Sequence, residues 1–177
     1  ASECQPFVAS GGLADVAGSL PKAIAKKDGV DIRVVMPLYS NIKNEYRNKF
    51  EYLGNFTVHL SWRQEYCGLF RYFKDGVTYY FIDNERYFKR DTLYGYYDDG
   101  ERMAFFSKAI VESLKYLSDF KCDVLHLNDW HTAPAAVFLR ELYQGDELYD
   151  NVKTVFTVHN LKFQGKYSDS IIGDVLG

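Results

Sequence analysis

The sequence predicts an α/β fold, a mostly parallel sheet with an antiparallel β-meander attached, and three observations carry that expectation. Apolar, β-branched runs at residues 31–36, 122–127 and 154–158 alternate with segments of helical period, the order that builds a parallel sheet. Residues 52–62 alternate with period two, as a half-buried strand does. Asp75-Gly76 then separates two further apolar runs as a two-residue hairpin turn.

Along the chain, SGGLADVAGSLPKA at residues 10–23 sets two adjacent glycines before Leu13, Val16, Ala17, Leu20 and Ile24, which share one helical face. Gly18-Ser19-Leu20-Pro21 predicts a break into two short helices. A helix beginning at Gly12 or Leu13 leaves its first amides without intrahelical partners, and its dipole adds partial positive charge there. Such an end suits a phosphate. The run 31–36, closed by Pro37, reads as a buried strand. In the middle third, Tyr52, Gly54, Phe56, Val58, Leu60 and Trp62 define one face, and strands are expected at 67–73 and 77–82; this meander reads as a structural edge. Residues 84–100, rich in Tyr and Asp, form the longest irregular stretch, a length that often carries function. Its Tyr94, Tyr96, Tyr97, Asp98 and Asp99 suit either sugar contact or loop packing. Met103, Phe106, Ile110, Leu114 and Leu117 mark a helix over 101–118, and a second is expected over 132–142.

Composition narrows the function classes. With 177 residues, 47% of them hydrophobic, the chain can bury one sizeable core, so a single domain over 1–177 is the expectation. A formal net charge of -3 with interspersed signs argues against a nucleic-acid or anionic-membrane partner. Cys4, Cys67 and Cys122 are odd in number, far apart and lack a CxxC pair, which suits free thiols in a reducing cytoplasm and neither a disulfide nor zinc. No apolar run has the length of a membrane span. Ala1-Ser2-Glu3-Cys4 leads straight into the glycine turn and residues 171–176 are apolar to the end, so the chain reads as truncated at both ends.

Ligands of open α/β sheets bind beyond the carboxyl ends of the strands, and that rule selects three places. At Gly11-Gly12, the alternatives are a tight turn with close helix packing or a bare backbone awaiting a ligand. A nicotinamide site is disfavoured: there is no G-x-G-x-x-G, and no acid follows the second strand. At His126-Leu127-Asn128-Asp129-Trp130-His131, two imidazoles and a carboxylate would suit a metal, but alternate residues at a strand end point in different directions. His126 reads as a hydrogen-bonded core or wall residue, Asp129 as a substrate contact, and Trp130 as either a stacking surface or packing. At His159-Asn160, an imidazole and an amide both donate to and accept from sugar hydroxyls.

The runs SECQPFVASGGLADVAGSLPKA, LHLNDWHTA and TVFTVHNLKFQGKY resemble the three hallmark segments of the N-terminal half of bacterial glycogen synthases and plant starch synthases. GVTYYFIDNERYFKR and YGYYDDGERMAFFSKA resemble that family in the same order. The resemblance implies a GT-B glycosyltransferase whose Rossmann-like, acceptor-side N-terminal domain is this chain, with the C-terminal domain absent from it. It implies glucosyl transfer from ADP-glucose to the non-reducing end of an α-1,4-glucan with retained configuration, in the cytoplasm, with no metal and no cofactor. By the same resemblance His159 and Asp129 are the catalytic candidates. Gly11, Gly12, Asp15 and Asn160 are the substrate-binding ones. The family commonly has a lysine two residues before the glycine pair where this chain has Ala9, and compensating cations are expected from the C-terminal domain. Two alternatives remain open at this point: a non-catalytic glucan-binding or interaction module on the same fold, and a GT-B enzyme using UDP-glucose. Half a cleft exposes the reaction centre to water, so the fragment alone is expected to be inactive.

Overall fold

The computed structural model describes residues 1–177 and resolves them into two compact units: Ala1–Thr57 with Tyr66–Gly95, and Val58–Glu65 with Tyr96–Gly177.

The first unit begins with helix α1, Gly12–Ile24, followed by strand β1, Arg33–Pro37, and a single helical turn α2, Asn44–Arg47. Strands β2 (Glu51–Leu60), β3 (Arg63–Lys74) and β4 (Val77–Asp83) form the meander, and the turn α3, Glu85–Phe88, lies inside the stretch read as irregular. The sheet order is β1-β4-β3-β2. β1 runs parallel to β4 with Val35 opposite Tyr80, and β3 runs antiparallel to β4 with Phe70 opposite Phe81. Asp75 and Gly76 both take positive φ, 52° and 81°, as the tight hairpin turn requires. Part of the aromatic weight of the middle third is core, while Trp62, Tyr66 and Phe73 are exposed. Phe7 meets Tyr46, Tyr72, Tyr79 and Phe81 edge-on, and Phe50 stacks on Phe81 at 4.1 Å. These are the offset and T-shaped geometries the ring quadrupole favours.

The expected break in the first helix does not occur: α1 is continuous, with Pro21 inside it. Proline has no N–H to give the carbonyl four residues back, that of Ala17. The Cys4 thiol, fully buried, lies 3.2 Å from that carbonyl and 3.2 Å from the Gln5 carbonyl, sharing its one proton between them. Burial pushes the thiol's pKa up to about 12, so it remains a protonated donor. Gly18 is likewise no breaker. A Cβ there would lie 2.7 Å from the carbonyl oxygen of Gln5, so the glycine lets the preceding loop pack against the helix.

In the second unit the hairpin tip 58–65 accompanies helix α4 (Asp99–Ser113), strand β5 (Val124–Asn128), helix α5 (Pro134–Leu142) and strand β6 (Lys153–Thr157). α4 ends in a tight turn, Leu114–Tyr116, where the sequence pattern continues the helix. It is buried almost all round. Its Arg102, 0% exposed, is neutralised by Asp99 and lies over the Tyr96 ring at 5.1 Å. α5 starts later than expected because Pro134 occupies its first turn. β5 and β6 are parallel, with Val124 opposite Lys153 and Asn128 opposite Thr157. Both strands therefore end at the same level. Beyond β6 the chain has no further strand. Its distal part is tied to the hairpin tip, where Asp174 pairs with Arg63 at 3.0 Å and accepts the Trp62 indole N–H at 3.0 Å. No helix is long and apolar enough to cross a membrane.

Candidate functional site

Parallel strands ending in register deliver their following loops side by side, and here a backbone bond ties those loops together. The Asp129 amide donates to the Thr157 carbonyl at 2.9 Å. Asp129 adopts φ +56°, a left-handed conformation that Asp tolerates better than most residues because its short polar chain bonds locally. The side chain is turned inward, with only 6% of the residue exposed. Its Oδ1 accepts the His159 amide at 2.7 Å and the Asn160 amide at 3.4 Å. A charged acceptor on successive amides holds the second loop at its origin. His159 itself is exposed, and its ring Nε2 lies 2.9 Å from Asn128 Oδ1. The Asn160 side chain accepts the Lys162 amide at 3.0 Å, closing a local turn.

Asp129, His159 and Asn160 are thus assembled in the second unit. The other predicted residues, Gly11, Gly12 and Asp15, stand together in the first, at the start of α1. Gly11 precedes the helix in an extended conformation open to any residue, and no side chain caps the helix. A Cβ on Gly12 would meet nothing within 4 Å, and one on Gly11 only Glu3 Oε1 at 3.9 Å. Neither tight turning nor close packing demands glycine here. The two exposed glycines leave the unpaired amides of a 13-residue helix uncovered. Asp15 lies exposed in the first turn, where its charge complements the helix dipole.

Two residues escaped the sequence reading. Glu3 is buried, and its Oε2 accepts the Ser10 hydroxyl at 2.8 Å and also the Ser10 amide, pinning the loop just before the glycines. Asn128 lies between two residues singled out for chemistry, but its partner His159 is 31 positions away. For Glu3 no sequence signal existed.

The structure also resolves what was left open at the D-W-H segment. Trp130 is packing: its ring lies 4.3 Å from that of His131 and 5.8 Å from that of Tyr167, and it covers the Gly165 backbone. His126 is a hydrogen-bonded wall residue, Nε2 to Thr157 Oγ1 2.7 Å. No group of three or more His, Cys, Asp or Glu side chains is placed to hold a metal ion.

His131 is buried, and desolvation, outweighing the nearby Asp129 charge, lowers its pKa to about 4. A depressed imidazole pKa contributes stability that is complete above the unfolded value near 6.5 and is lost as pH falls toward the folded value. The expected loss is on the order of 3 kcal/mol by pH 4. Urea unfolding of the wild type should therefore weaken more steeply between about pH 6.5 and pH 4 than that of His131→Gln. Parallel curves would show that the buried ring carries no such linkage.

A family model described as the starch synthase catalytic domain matches residues 1–177. A glycogen synthase of Bacillus cereus is 55% identical over 175 residues, covering 99% of this chain and 36% of that protein. A glycogen synthase of Finegoldia magna is 54% identical over 170 residues, covering 96% of this chain and 35% of the relative. Among solved structures, the catalytic domain of starch synthase IV from Arabidopsis thaliana, bound to ADP and acarbose, superposes with a TM-score of 0.88 at 29% identity. That match covers 99% of this chain and 36% of the other. The chain spans about a third of the length of the curated relatives it matches.

Proposed function

Because the chain belongs to the starch synthase catalytic domain family, we propose that it is the acceptor-side part of a cytoplasmic retaining glucosyltransferase that extends an α-1,4-glucan from ADP-glucose. The observation that carries this reading is the Asp129 carboxylate on the His159 amide at 2.7 Å, which fixes an exposed imidazole at the carboxyl ends of two parallel strands. There the His159 ring orients the transferred glucose through its hydroxyls, and Asp129 acts by holding His159 in place. Asn160 extends the same rim. Breaking a glucosyl-phosphate bond develops negative charge on the departing phosphate. The uncovered amides at Gly11 and Gly12 are suited to stabilise that charge. ADP and acarbose in the Arabidopsis relative support a nucleotide-sugar donor and a glucan acceptor. The remaining length of the relatives supplies the other wall of the cleft and the cations that stand in for a lysine at Ala9.

The test is an assay of the full-length protein with glycogen as acceptor and ADP-glucose or UDP-glucose as donor. Transfer from ADP-glucose is the expected result, and the 177-residue chain alone should transfer from neither. Transfer from UDP-glucose only would overturn the donor assignment. Absence of transfer from both would leave a glucan-binding module.

A further inference from the structure

The Asn128 amide is oriented with its nitrogen toward the His126 carbonyl and its oxygen toward the His159 ring. Its backbone is clamped by Thr132, whose Oγ1 accepts the Asn128 amide at 2.7 Å and donates to the Asn128 carbonyl at 3.0 Å. Its side-chain Nδ2 donates to the His126 carbonyl at 3.4 Å. The other atom of the amide, Oδ1, then faces His159 Nε2 at 2.9 Å. An amide oxygen only accepts, so the facing ring nitrogen must carry the proton. Flipping the amide would set its oxygen against the His126 carbonyl, two acceptors with no hydrogen between them.

We infer that Asn128 is a positioning residue that locks His159 in its Nε2–H tautomer and leaves Nδ1 as a lone-pair acceptor at the exposed rim. The ring cannot pivot without losing the Asn128 bond, so its plane is set along with its tautomer. Resting on the function proposed above, this makes Nδ1 a reader of hydroxyl hydrogens. A sugar position that donates O–H to it binds, while the corresponding fluorine, which cannot donate, does not.

The experiment is long-range proton–nitrogen NMR of the ring nitrogens in the 15N-labelled chain at about pH 8, where an ordinary imidazole is neutral. The wild type is expected to show a pure Nε2–H pattern for His159. Asn128→Ala should move it toward the mixed-tautomer average of free imidazole, and Asn128→Asp, whose one oxygen still accepts from Nε2–H although its other gives up the bond to the His126 carbonyl, should stay closer to the Nε2–H pattern than Asn128→Ala does. Unchanged His126 and His131 ring signals establish that the variants are folded. An averaged or Nδ1–H pattern in the wild type overturns the assignment, and so does an Asn128→Ala spectrum identical to the wild type. If Asn128→Ala does not fold, the wild-type pattern and Asn128→Asp decide the question. The function reading fails separately: with ADP-glucose and maltotriose added to the full-length protein, an unmoved His159 Nδ1 signal beside an intact Nε2–H pattern rejects the glucose contact and leaves the tautomer assignment standing.

Discussion

Asp129→Ala is expected to lower the turnover of the full-length protein about 100-fold, the scale of loss when a reacting group shifts by about an ångström. The same change should destabilise the 177-residue chain by about 2–4 kcal/mol. Two effects contribute to that figure. Loss of the carboxylate acceptor leaves the His159 amide without its 2.7 Å partner, a charge-assisted bond worth about 1.5–3 kcal/mol. Alanine must also adopt φ +56°, which costs a Cβ-bearing residue without a local polar bond about 1 kcal/mol. Two further variants separate these effects. Asp129→Gly relieves the backbone but supplies no acceptor, so it should be more stable than Asp129→Ala while equally slow. Asp129→Asn keeps both an oxygen acceptor and tolerance of the left-handed conformation, so it should retain most of the stability and much of the turnover. Activity measured across the series should follow the acceptor, and stability should follow both. If Asp129→Asn is as slow as Asp129→Ala, the negative charge is needed directly in the reaction and the clamp is not its main role.

What the sequence revealed, and what it hid, divides by the distance between interacting groups. Strand and helix alternation was legible because periodicity is a property of adjacent residues: β1, β5 and β6 lie within two residues of their expected bounds. Alternation over residues 52–62 predicted the buried face correctly at Phe56, Val58 and Leu60 but not at its ends, since Tyr52 and Trp62 are exposed. The pattern records side-chain direction, and burial also requires something to pack against. The continuity of α1 was not legible, because the thiol that faces the carbonyl left by the proline belongs to Cys4, 13 positions before Ala17. At the site, the strand-end rule brought Asp129 and His159 to one rim, because parallel strands in register must release their loops together. The roles within that rim were hidden. The aspartate read as a substrate contact gives one carboxylate oxygen to backbone amides, and the asparagine immediately before it, passed over in the sequence, faces the histidine ring.

Gly165→Ala is expected to destabilise the chain by about 2–5 kcal/mol, although a single methyl group is all that is added. Gly165 has φ +58°, where a side chain costs about 1–2 kcal/mol. Its new Cβ would lie 2.2 Å from Cε3 and 2.3 Å from Cδ2 of Trp130, an overlap that relaxes only by displacing one or the other at about 1–3 kcal/mol. The indole has little room to yield, because His131 and Tyr167 occupy its neighbouring faces. Gly165 belongs to the same segment as His159 and Asn160, so the strain is expected to reach the rim. A double-variant cycle isolates the cause. Trp130→Ala removes the ring that the methyl strikes, and in the Trp130→Ala/Gly165→Ala protein only the left-handed backbone cost should remain. The double variant should then be more stable than the sum of the single losses predicts, by about 1–3 kcal/mol in urea unfolding. Strict additivity would mean that the glycine is required by its backbone conformation alone. Trp130 would then have no part in holding the segment that begins at His159.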